Sequence, residues 1–253
     1  MGRIAGTGAV ILAAGQGMRL QTVHGGLPKG LLPIGGAPLI QRSLGTLLAC
    51  GVSRVVLITG YRASAYGAFL SDRFPSVEVR HNPDFAHTGS MHSLFMARNA
   101  VEQPFLLVES DLLYEPRAVI EMLGMPSGDH LLLSGATGQG DEVYAYGAGG
   151  RLLQLSKDRL THAPLQGEFV GISRLTPATL EAMCRHYESR SGISSCYEYD
   201  DCLSDLSGAI RFNLHRIDDL RWGEIDDPAQ YRRALDSLVP TLDAALEAHV
   251  HPA

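Results

Sequence analysis

Two stretches near the amino terminus decide the fold: Val10-Ile-Leu-Ala-Ala-Gly15-Gln-Gly17-Met-Arg19-Leu20 and Leu27-Pro28-Lys29-Gly-Leu-Leu-Pro33-Ile34. The apolar run that ends before Gly15 predicts a buried strand that leads into a glycine turn. Gly15 and Gly17 let backbone N–H groups approach phosphate oxygens with no Cβ in the way. Arg19 can grip such oxygens through two nitrogens, and Lys29 adds a compact positive charge. The two stretches therefore predict an α/β fold that binds a polyphosphate.

The spacing of these residues separates the site from two common phosphate-binding motifs. No Gly-Lys-Ser/Thr follows the glycines, as a P-loop requires, and the third glycine of a dinucleotide fingerprint is missing. The residues instead predict that the turn after the first strand binds a nucleoside triphosphate. Arg19 and the later Pro-Lys pair would supply the positive charges.

The composition is that of an acidic globular chain. The 253 residues are 45% hydrophobic, and 21 Lys and Arg against 27 Asp and Glu give a formal net charge of −6. An acidic chain without a basic run is a poor candidate for nucleic-acid binding. No apolar run reaches the roughly 18 residues of a membrane span, and the first residues do not fit a signal peptide. We therefore expect a cytoplasmic protein with neither a nucleic-acid nor a membrane partner.

Strands and helices alternate along the first half of the chain. Predicted strands cover residues 9–13, 54–59, 77–81, 105–108 and 130–134, and predicted helices cover 38–50, 63–72, 90–101 and 117–123. This order is typical of a mostly parallel sheet with helices on both faces. We expect a Rossmann-like α/β fold.

The pattern changes after about residue 135. A hairpin around Gly149-Gly150 is followed by predicted strands at 169–175 and 210–217 and predicted helices at 177–187, 197–206 and 228–238. Because no linker separates the two parts, we interpret 1–253 as one domain. It would have a nucleotide-binding half at about 9–135, an acceptor-binding half at about 136–235, and a tail or short helix at 240–253.

Two acidic residues are candidates for a metal site. Asp111 follows an apolar strand, at the sheet edge where open α/β folds bind ligands. Asp226 ends an extended segment in which Trp222, Glu224 and Asp226 share one face. Mg²⁺ is commonly held by one or two carboxylates together with phosphate oxygens. The alternative is that Asp226 merely caps the next helix, but Asp227 stands nearer Pro228 and suits the cap better.

Three further segments carry polar residues with both functional and ordinary interpretations. Ser90 is a candidate N-cap of a helix whose free N–H groups could hold an anion, or it caps an ordinary surface loop. Lys157 could add charge from the acceptor side, or it is a solvated lysine. Tyr197-Glu198-Tyr199-Asp200-Asp201 could hold an ammonium group by charge and cation–π contact, or it is an acidic helix face.

At these residues the chain resembles the small nucleotidyltransferases, in particular the cytidylyltransferases that act on phosphocholine and on 2-aminoethylphosphonate. The likeness spans about residues 9–235. It rests on Leu-Ala-Ala-Gly-x-Gly-x-Arg19 with the later Pro-Lys29, on Asp111 and Glu224-Ile-Asp226, and on the loop from Asn82 to Leu94. The resemblance implies a nucleotidyltransferase fold of the GT-A-like kind and a magnesium-dependent transfer of CMP from CTP.

The resemblance also implies residue roles. It assigns Lys29, Arg19 and Lys157 to catalysis and Asp111 and Asp226 to Mg²⁺. The implied nucleotide-binding residues are Leu12, Ala13, Ala14, Gly15, Gly17, Asn82, Thr88 and Ser90. The implied acceptor-binding residues are Ser90, Met91, Ser93, Glu168, Glu198, Tyr199 and Asp201.

The resemblance is more specific for the nucleotidyltransferase reaction than for the acceptor. The Gly-Ser-Met form of the loop at 89–91 looks more like the phosphonate-acting members, and one tryptophan makes a poor cage for a trimethylated head group. We therefore expect 2-aminoethylphosphonate, with phosphocholine or a sugar 1-phosphate as rival acceptors and a catalytically silent nucleotide-binding regulator as the non-enzyme alternative. The expected partners are CTP and a small phosphonate or phosphomonoester, and a homodimer is one assembly we consider.

Overall fold

A nine-stranded mixed sheet forms the centre of the protein. The structure, a computed structural model, describes residues 7–20, 23, 25–190 and 196–250. Its strands are β1 Gly8–Ala13, β2 Pro33–Ile34, β3 Ala37–Pro38, β4 Arg54–Thr59, β5 Glu78–His81, β6 Phe105–Glu109, β7 Leu112–Tyr114, β8 Asp129–Ser134, β9 Tyr144–Ala148, β10 Arg151–Ser156, β11 Leu165–Leu175, β12 Phe212–Ile217 and β13 Trp222–Glu224.

The helices lie between these strands. They are α1 Leu39–Ala49, α2 Ala63–Arg73, α3 Ser90–Phe95, α4 Pro116–Gly124, α5 Pro177–Ser189, α6 Tyr199–Leu206, α7 Pro228–Arg233 and α8 Val239–Val250. Short 3₁₀ turns cover Met18–Leu20 and Lys29–Leu31. Within the described residues no helix combines the length and the apolar composition that a membrane span requires.

The main sheet has the strand order β5-β4-β1-β6-β11-β8-β12-β10-β9. Strand β1 pairs in parallel with β4 and β6, β4 with β5, and β8 with β12. Strand β11 runs antiparallel to β6 and β8, and β10 runs antiparallel to β12 and β9. The expected mostly parallel α/β sheet is confirmed, with β11 from the second half of the chain inserted between two strands of the first.

Helices cover both faces of the sheet, as the alternating pattern predicts. On β1, Val10 and Leu12 pack into the core beneath α3, α5 and α6, whereas Ala9, Ile11 and Ala13 pack into the core beneath α1, α2 and α4. Val10 and Ile11 are completely buried, and each such side chain stabilises the fold by roughly 1.5–3 kcal/mol relative to an exposed one. Burial on both faces explains why β1 is uniformly apolar.

The predicted helices at 90–101 and 228–238 and the predicted tail differ from the observed elements in ways that have a structural reason. The helix predicted at 90–101 ends at Phe95, because the chain then turns to Asn99, whose φ of 66° lies in the left-handed region. Arg80 donates to the carbonyl oxygens of Met96 and Arg98 beyond this helix end. The helix predicted at 228–238 passes into a π-helical turn at Ala234–Leu238 and continues as α8, so most of 240–253 is helical, and 251–253 lie outside the described residues.

A small second sheet was not predicted and places part of the site. Strand β13 pairs antiparallel with β7, with Glu224 opposite Leu112 and Trp222 opposite Tyr114. Beyond the last pair, the N–H of Ile225 donates to the carbonyl oxygen of Asp111 (3.0 Å). This hydrogen bond joins two segments that are far apart in the sequence, immediately beside the residues predicted to bind metal.

Candidate active site

A cleft of about 280 Å³ opens beyond the carboxyl end of β1. Its lining residues are Leu12, Gly15, Gly17, Met18, Arg19, Lys29, Ser110, Asp111 and Asp226. Gly17 has a φ of 61°, and a Cβ there would lie 3.2 Å from the Cβ of Lys29. Glycine therefore allows both the left-handed turn and the close approach of the lysine stem. The predicted glycine turn, Arg19 and Lys29 come together at one cleft.

The Lys29 ammonium lies between the two carboxylates predicted to bind metal. Its Nζ is 2.6 Å from Oδ2 of Asp111 and also contacts Oδ1 of Asp226. The three side chains are between 10% and 18% exposed, so this cation is shielded from water by the groups that neutralise it. Arg19 donates to the other oxygen of Asp226 (2.8 Å). The structure thus brings four of the predicted site residues, Arg19, Lys29, Asp111 and Asp226, to one cleft.

Two local features hold Asp226 and Lys29 in place. Asp227 is the N-cap of α7 and accepts from the N–H groups of Ala229 and Gln230, as predicted, so Asp226 remains available to the cleft. On the other side, the N–H of Gly30 donates to the Tyr66 hydroxyl of α2 (3.2 Å). This contact fixes the 3₁₀ turn that begins at Lys29.

A second, larger cleft of about 400 Å³ adjoins the first and shares Leu12, Gly15 and Asp111 with it. Its acidic lining residues are Glu109, Asp111, Asp141, Glu142, Glu198, Asp200 and Glu224. Its aromatic lining residues are Phe85, Phe169, Tyr199 and Trp222. Among the described residues that line it, Lys157 is the one lysine and no arginine is present. The larger cleft is therefore acidic and aromatic, whereas the smaller one is lined by Arg19 and Lys29.

Glu109 and Glu224 belong to this site although neither was assigned a role from the sequence. Oxygens of Glu109, Asp111 and Glu224 lie within 4.8 Å of one another. Burial, then the charges of Asp111 and Glu224, raise the pKa of Glu109 well above its usual range. Burial and Asp111 likewise raise the pKa of Glu224 to about 7. The two-residue spacing in Glu109-Ser110-Asp111 was the signal for Glu109, because alternate residues of an extended segment share a face.

The donor set fits a hard divalent cation. Oδ1 of Asp111 is buried and accepts no hydrogen bond from the described residues. Carboxylate oxygens at this position are the ligand type that Mg²⁺ takes. The residues that could hold it are Asp111 and Asp226, with Glu224 as a further carboxylate.

Tyr199 and Glu198 are held by contacts across the larger cleft. The Tyr199 hydroxyl donates to Oε1 of Glu109 (2.5 Å). Glu198 is the N-cap of α6 and accepts from the N–H of Ser90 (2.8 Å), and the Ser90 hydroxyl accepts from the N–H of Tyr199 (2.9 Å). The prediction that Ser90 is itself an N-cap is wrong, because Gly89 takes that position. A Cβ on Gly89 would lie 2.3 Å from the carbonyl oxygen of Tyr197, so the contact of the two helix starts requires glycine.

Several predicted binding residues lie beneath the cleft surface and hold the residues that line it. Asn82 is fully buried and donates to Thr88 (3.2 Å) and Ser93 (3.1 Å), both of which line the larger cleft. Met91 lies in the core with no exposed surface. Asp201 accepts from the N–H of Glu198 in the capping box of α6. Of the remaining predicted residues, Ala14 lines the larger cleft, Ala13 lies in the core of β1, and Glu168 is buried and accepts from the N–H of Thr137.

Comparison with known proteins agrees with this geometry. Residues 9–165, more than half of the chain, match the MobA-like NTP transferase domain. A CMP-5'-(3-aminopropyl)phosphonate synthase of Streptomyces rubellomurinus is 28% identical over 89% of this chain, which spans 38% of that protein. A 2-aminoethylphosphonate cytidylyltransferase of Lancefieldella rimae is 24% identical over 88% of this chain and 90% of its own length.

Solved structures share the fold. The inositol-1-phosphate CTP transferase of T. maritima superimposes with a TM-score of 0.82 at 22% identity, over 99% of this chain and 100% of its own. The CTP:phosphocholine cytidylyltransferase of Streptococcus pneumoniae gives a TM-score of 0.75 at 17% identity, over 91% of this chain and 98% of its own. With the cradle beyond β1 and the matched residues 9–165, the chain belongs to the MobA-like NTP transferase family.

Proposed function

We propose that this protein is a magnesium-dependent cytidylyltransferase that transfers CMP from CTP to 2-aminoethylphosphonate and releases pyrophosphate. The names of two relatives that align over most of this chain support an aminoalkylphosphonate acceptor and a cytidine nucleotide. The residues of the two adjoining clefts independently support a triphosphate beside a small zwitterion.

The contrast in charge between the clefts is the observation that carries the proposal. Arg19 and Lys29 line the smaller cleft and suit a triphosphate. The larger cleft combines Lys157 with several carboxylates, Glu109 and Asp200 among them. Such a cleft suits a small zwitterion whose phosphonate lies near the cations and whose ammonium lies among the carboxylates. Asp111, which lines both clefts together with Leu12 and Gly15, supports a meeting of the two substrates beside it.

Glu109 favours a primary amine over a trimethylated one. Its Oε1 accepts from Tyr199, and no described residue donates to its Oε2. Burial and the neighbouring carboxylates raise the pKa of Glu109, and the charge of a bound primary ammonium group would oppose that shift and favour the ionised carboxylate. The ammonium group can then donate a charge-assisted hydrogen bond to Oε2. A trimethylammonium group carries no N–H and could interact with it through charge alone.

The chemistry requires screening of charge rather than a general base. A phosphonate resembles a phosphomonoester, whose second pKa is about 6, so its attacking oxygen is already ionised near pH 7. Lys29 and Arg19 lie where they would neutralise the triphosphate and the charge that develops at the α-phosphorus. A bound Mg²⁺ supplies Lewis acidity at the phosphate oxygens. Attack in line with the departing pyrophosphate completes the transfer.

Phosphocholine is the second candidate acceptor, and the aromatic residues of the larger cleft favour it. Phe85, Phe169, Tyr199 and Trp222 line that cleft, and aromatic faces attract quaternary ammonium groups. In this alternative the nucleotide binds in the same way. The two candidates differ only in the ammonium group that lies among the carboxylates.

A pyrophosphate-release assay tests the proposal. Each of the four ribonucleoside triphosphates is supplied with Mg²⁺ and one acceptor: 2-aminoethylphosphonate, ethylphosphonate, phosphocholine or glucose 1-phosphate. We expect the highest kcat/KM for CTP with 2-aminoethylphosphonate, and loss of release when EDTA replaces Mg²⁺. A clear preference for another nucleotide or for phosphocholine would contradict the proposal.

Two variants test the amine contact. Glu109→Gln should reduce the preference for 2-aminoethylphosphonate over ethylphosphonate by about tenfold, since a hydrogen bond between charged groups contributes about 1.5–3 kcal/mol. Tyr199→Phe keeps the carboxylate and removes the hydrogen bond to its Oε1, so it should retain most of that preference. An unchanged preference in Glu109→Gln would rule out this residue as the amine partner.

A further inference from the structure

The Asp141 carboxylate lies between two cations that come from different halves of the protein. Its Oδ2 accepts from Arg19 (2.8 Å), and its Oδ1 is 3.6 Å from Nζ of Lys157. Arg19 and Lys157 are 57% and 65% exposed, whereas Asp141 is 26% exposed. Long exposed side chains sample many rotamers, so a shared, less exposed carboxylate restricts where both cations lie.

The segment that presents Asp141 is itself anchored at several points. The N–H of Thr137 donates to the buried Glu168 (2.8 Å), and the N–H of Gly140 donates to Glu142 (2.8 Å). The side-chain oxygen of Gln139 accepts from the N–H of Glu224 in β13 (3.2 Å). Glu168, predicted to bind the acceptor, therefore supports the segment that carries Asp141.

The position of Asp141 coincides with the junction of the two clefts. Arg19 lines the smaller cleft, and Lys157 and Asp141 line the larger one. The same nitrogen of Arg19 that contacts Asp141 also contacts Asp226. A carboxylate here occupies the region in which phosphate oxygens of the two substrates would approach one another.

We propose that Asp141 is a positioning residue that orients Arg19 and Lys157 at this junction both before and during the transfer, while substrate phosphates compete with it for the two cations. The assignment of Lys157 to the acceptor side rests on the proposed function. The contact between Asp141 and Arg19 would matter for nucleotidyl transfer to any acceptor. Asp141 has two opposing effects: it orients the cations, and its negative charge competes with phosphate oxygens for them.

Competition with phosphate can be measured without a nucleotide or an acceptor. Pyrophosphate with Mg²⁺, the leaving group of every nucleotidyl transfer from a triphosphate, is titrated into the protein by calorimetry. Asp141→Asn should bind it about 2- to 5-fold more tightly, the range typical of one exposed ion pair. In an Arg19→Ala background the same change should have a smaller effect, because Arg19 no longer has to leave the carboxylate.

Orientation is measured by turnover with saturating substrates. Asp141→Asn should lower kcat by about tenfold, as expected when a charged group loses its alignment. In a Lys157→Ala background the change should lower kcat much less, because the two residues act through one contact. Asp141→Glu, which keeps the charge, should recover part of kcat. Asp158→Asn serves as the matched control, because it removes a neighbouring exposed charge whose side chain makes no hydrogen bond with any residue that the structure describes.

The outcomes separate this inference from the proposed function. If the acceptor panel fails but Asp141→Asn tightens pyrophosphate binding through Arg19, the proposed acceptor is wrong and the competition at Asp141 stands. Unchanged or weaker pyrophosphate binding in Asp141→Asn overturns the inference, and so does an equal gain in Asp158→Asn. With an active acceptor, a fall in kcat of the same size in the presence and absence of Lys157 overturns the positioning role.

Discussion

Lys29 is the residue on which the charge balance of the smaller cleft depends. Its ammonium contacts Asp111 and Asp226 and is 10% exposed. Removing one partner of such a shielded group leaves the remaining charges unpaired, which costs more than the loss of an exposed pair. Lys29 thus keeps two carboxylates close together. Under the proposed function, both would turn to a bound cation as Lys29 turns to phosphate.

Replacement of Lys29 tests this role. Lys29→Met keeps most of the stem that packs beside Gly17 and removes the charge, so we expect turnover to fall by about 100-fold or more. Arg54→Met is the matched control. Arg54 lies at the amino end of β4, whereas the cleft lies beyond the carboxyl ends of the strands, and its side chain pairs with Glu78. Steady-state pyrophosphate release measures both variants, and a fall of less than threefold in Lys29→Met would contradict the assignment.

Asp200 makes stability depend on pH. Burial, with a further contribution from Asp201, raises the pKa of Asp200 from 3.8 to about 6. The folded protein therefore binds this proton more tightly than the unfolded chain does, and the free energy of unfolding falls as pH rises from about 4 to about 6.

Asp200→Asn removes this dependence. The free energy of unfolding of the variant, minus that of the wild type, should rise between pH 4 and pH 7 by on the order of 2 kcal/mol. Urea unfolding at several pH values measures the difference. If the two curves run parallel over this range, Asp200 does not titrate as we expect.

At the scale of elements, the 3₁₀ turn that begins at Lys29 is supported by α2. Gly30 meets Tyr66, whose side chain is 1% exposed, and a Cβ on Gly30 would lie 2.6 Å from the Tyr66 hydroxyl oxygen. The glycine is thus required by the neighbouring helix, since its own φ is not in the left-handed region. The position of Lys29 depends on this close packing.

A double replacement tests that packing. Gly30→Ala should lower the free energy of unfolding by about 1–3 kcal/mol, the usual cost of overpacking, and should lower turnover by moving Lys29. Adding Tyr66→Phe removes the oxygen that the new methyl group meets and should restore part of both quantities. Thermal unfolding and pyrophosphate release are measured for the wild type, the two single variants and the double variant. Strictly additive effects would show that the two residues do not interact as described.

At the scale of the whole molecule, strands from the two halves of the chain interleave. Strand β11 lies between β6 and β8, and β8 lies between β11 and β12. Neither half can lose its strands without breaking the hydrogen bonds of the other. The single-domain interpretation thus stays a prediction with a direct test in the unfolding of the full chain.

We expect one cooperative thermal transition by calorimetry, with equal calorimetric and van't Hoff enthalpies. Because the substrates would bind where both halves meet, Mg²⁺ with CTP at about 100 times its Kd should shift this one transition as a whole, by about 2.7 kcal/mol in stability. Two separate transitions, or a shift in only part of the profile, would contradict both the single domain and the shared site.

The local pattern of the sequence was enough to predict most elements and several residues that meet in the smaller cleft. β1 is uniformly apolar because it is buried on both faces, and Asp227 before Pro228 predicts a helix cap. The glycine turn, Arg19 and Lys29 were predictable because they lie close together in the chain and act through backbone geometry and charge. The short extent of α3 was not, because the left-handed Asn99 and the Arg80 contacts depend on distant packing.

The sequence by itself determined the sheet of alternating strands and helices and the glycine turn with Arg19 and Lys29 beside it, since periodicity, glycine turns and nearby cations are local properties. Tertiary structure alone decided which further carboxylates join Asp111 and Asp226. The β7–β13 pairing brings Glu224 beside Glu109 and Asp111, and the segment before β9 places Asp141 between Arg19 and Lys157. The physical reason is that an ion pair or a buried carboxylate cluster depends on distances of a few ångströms between distant segments, which sequence spacing does not encode.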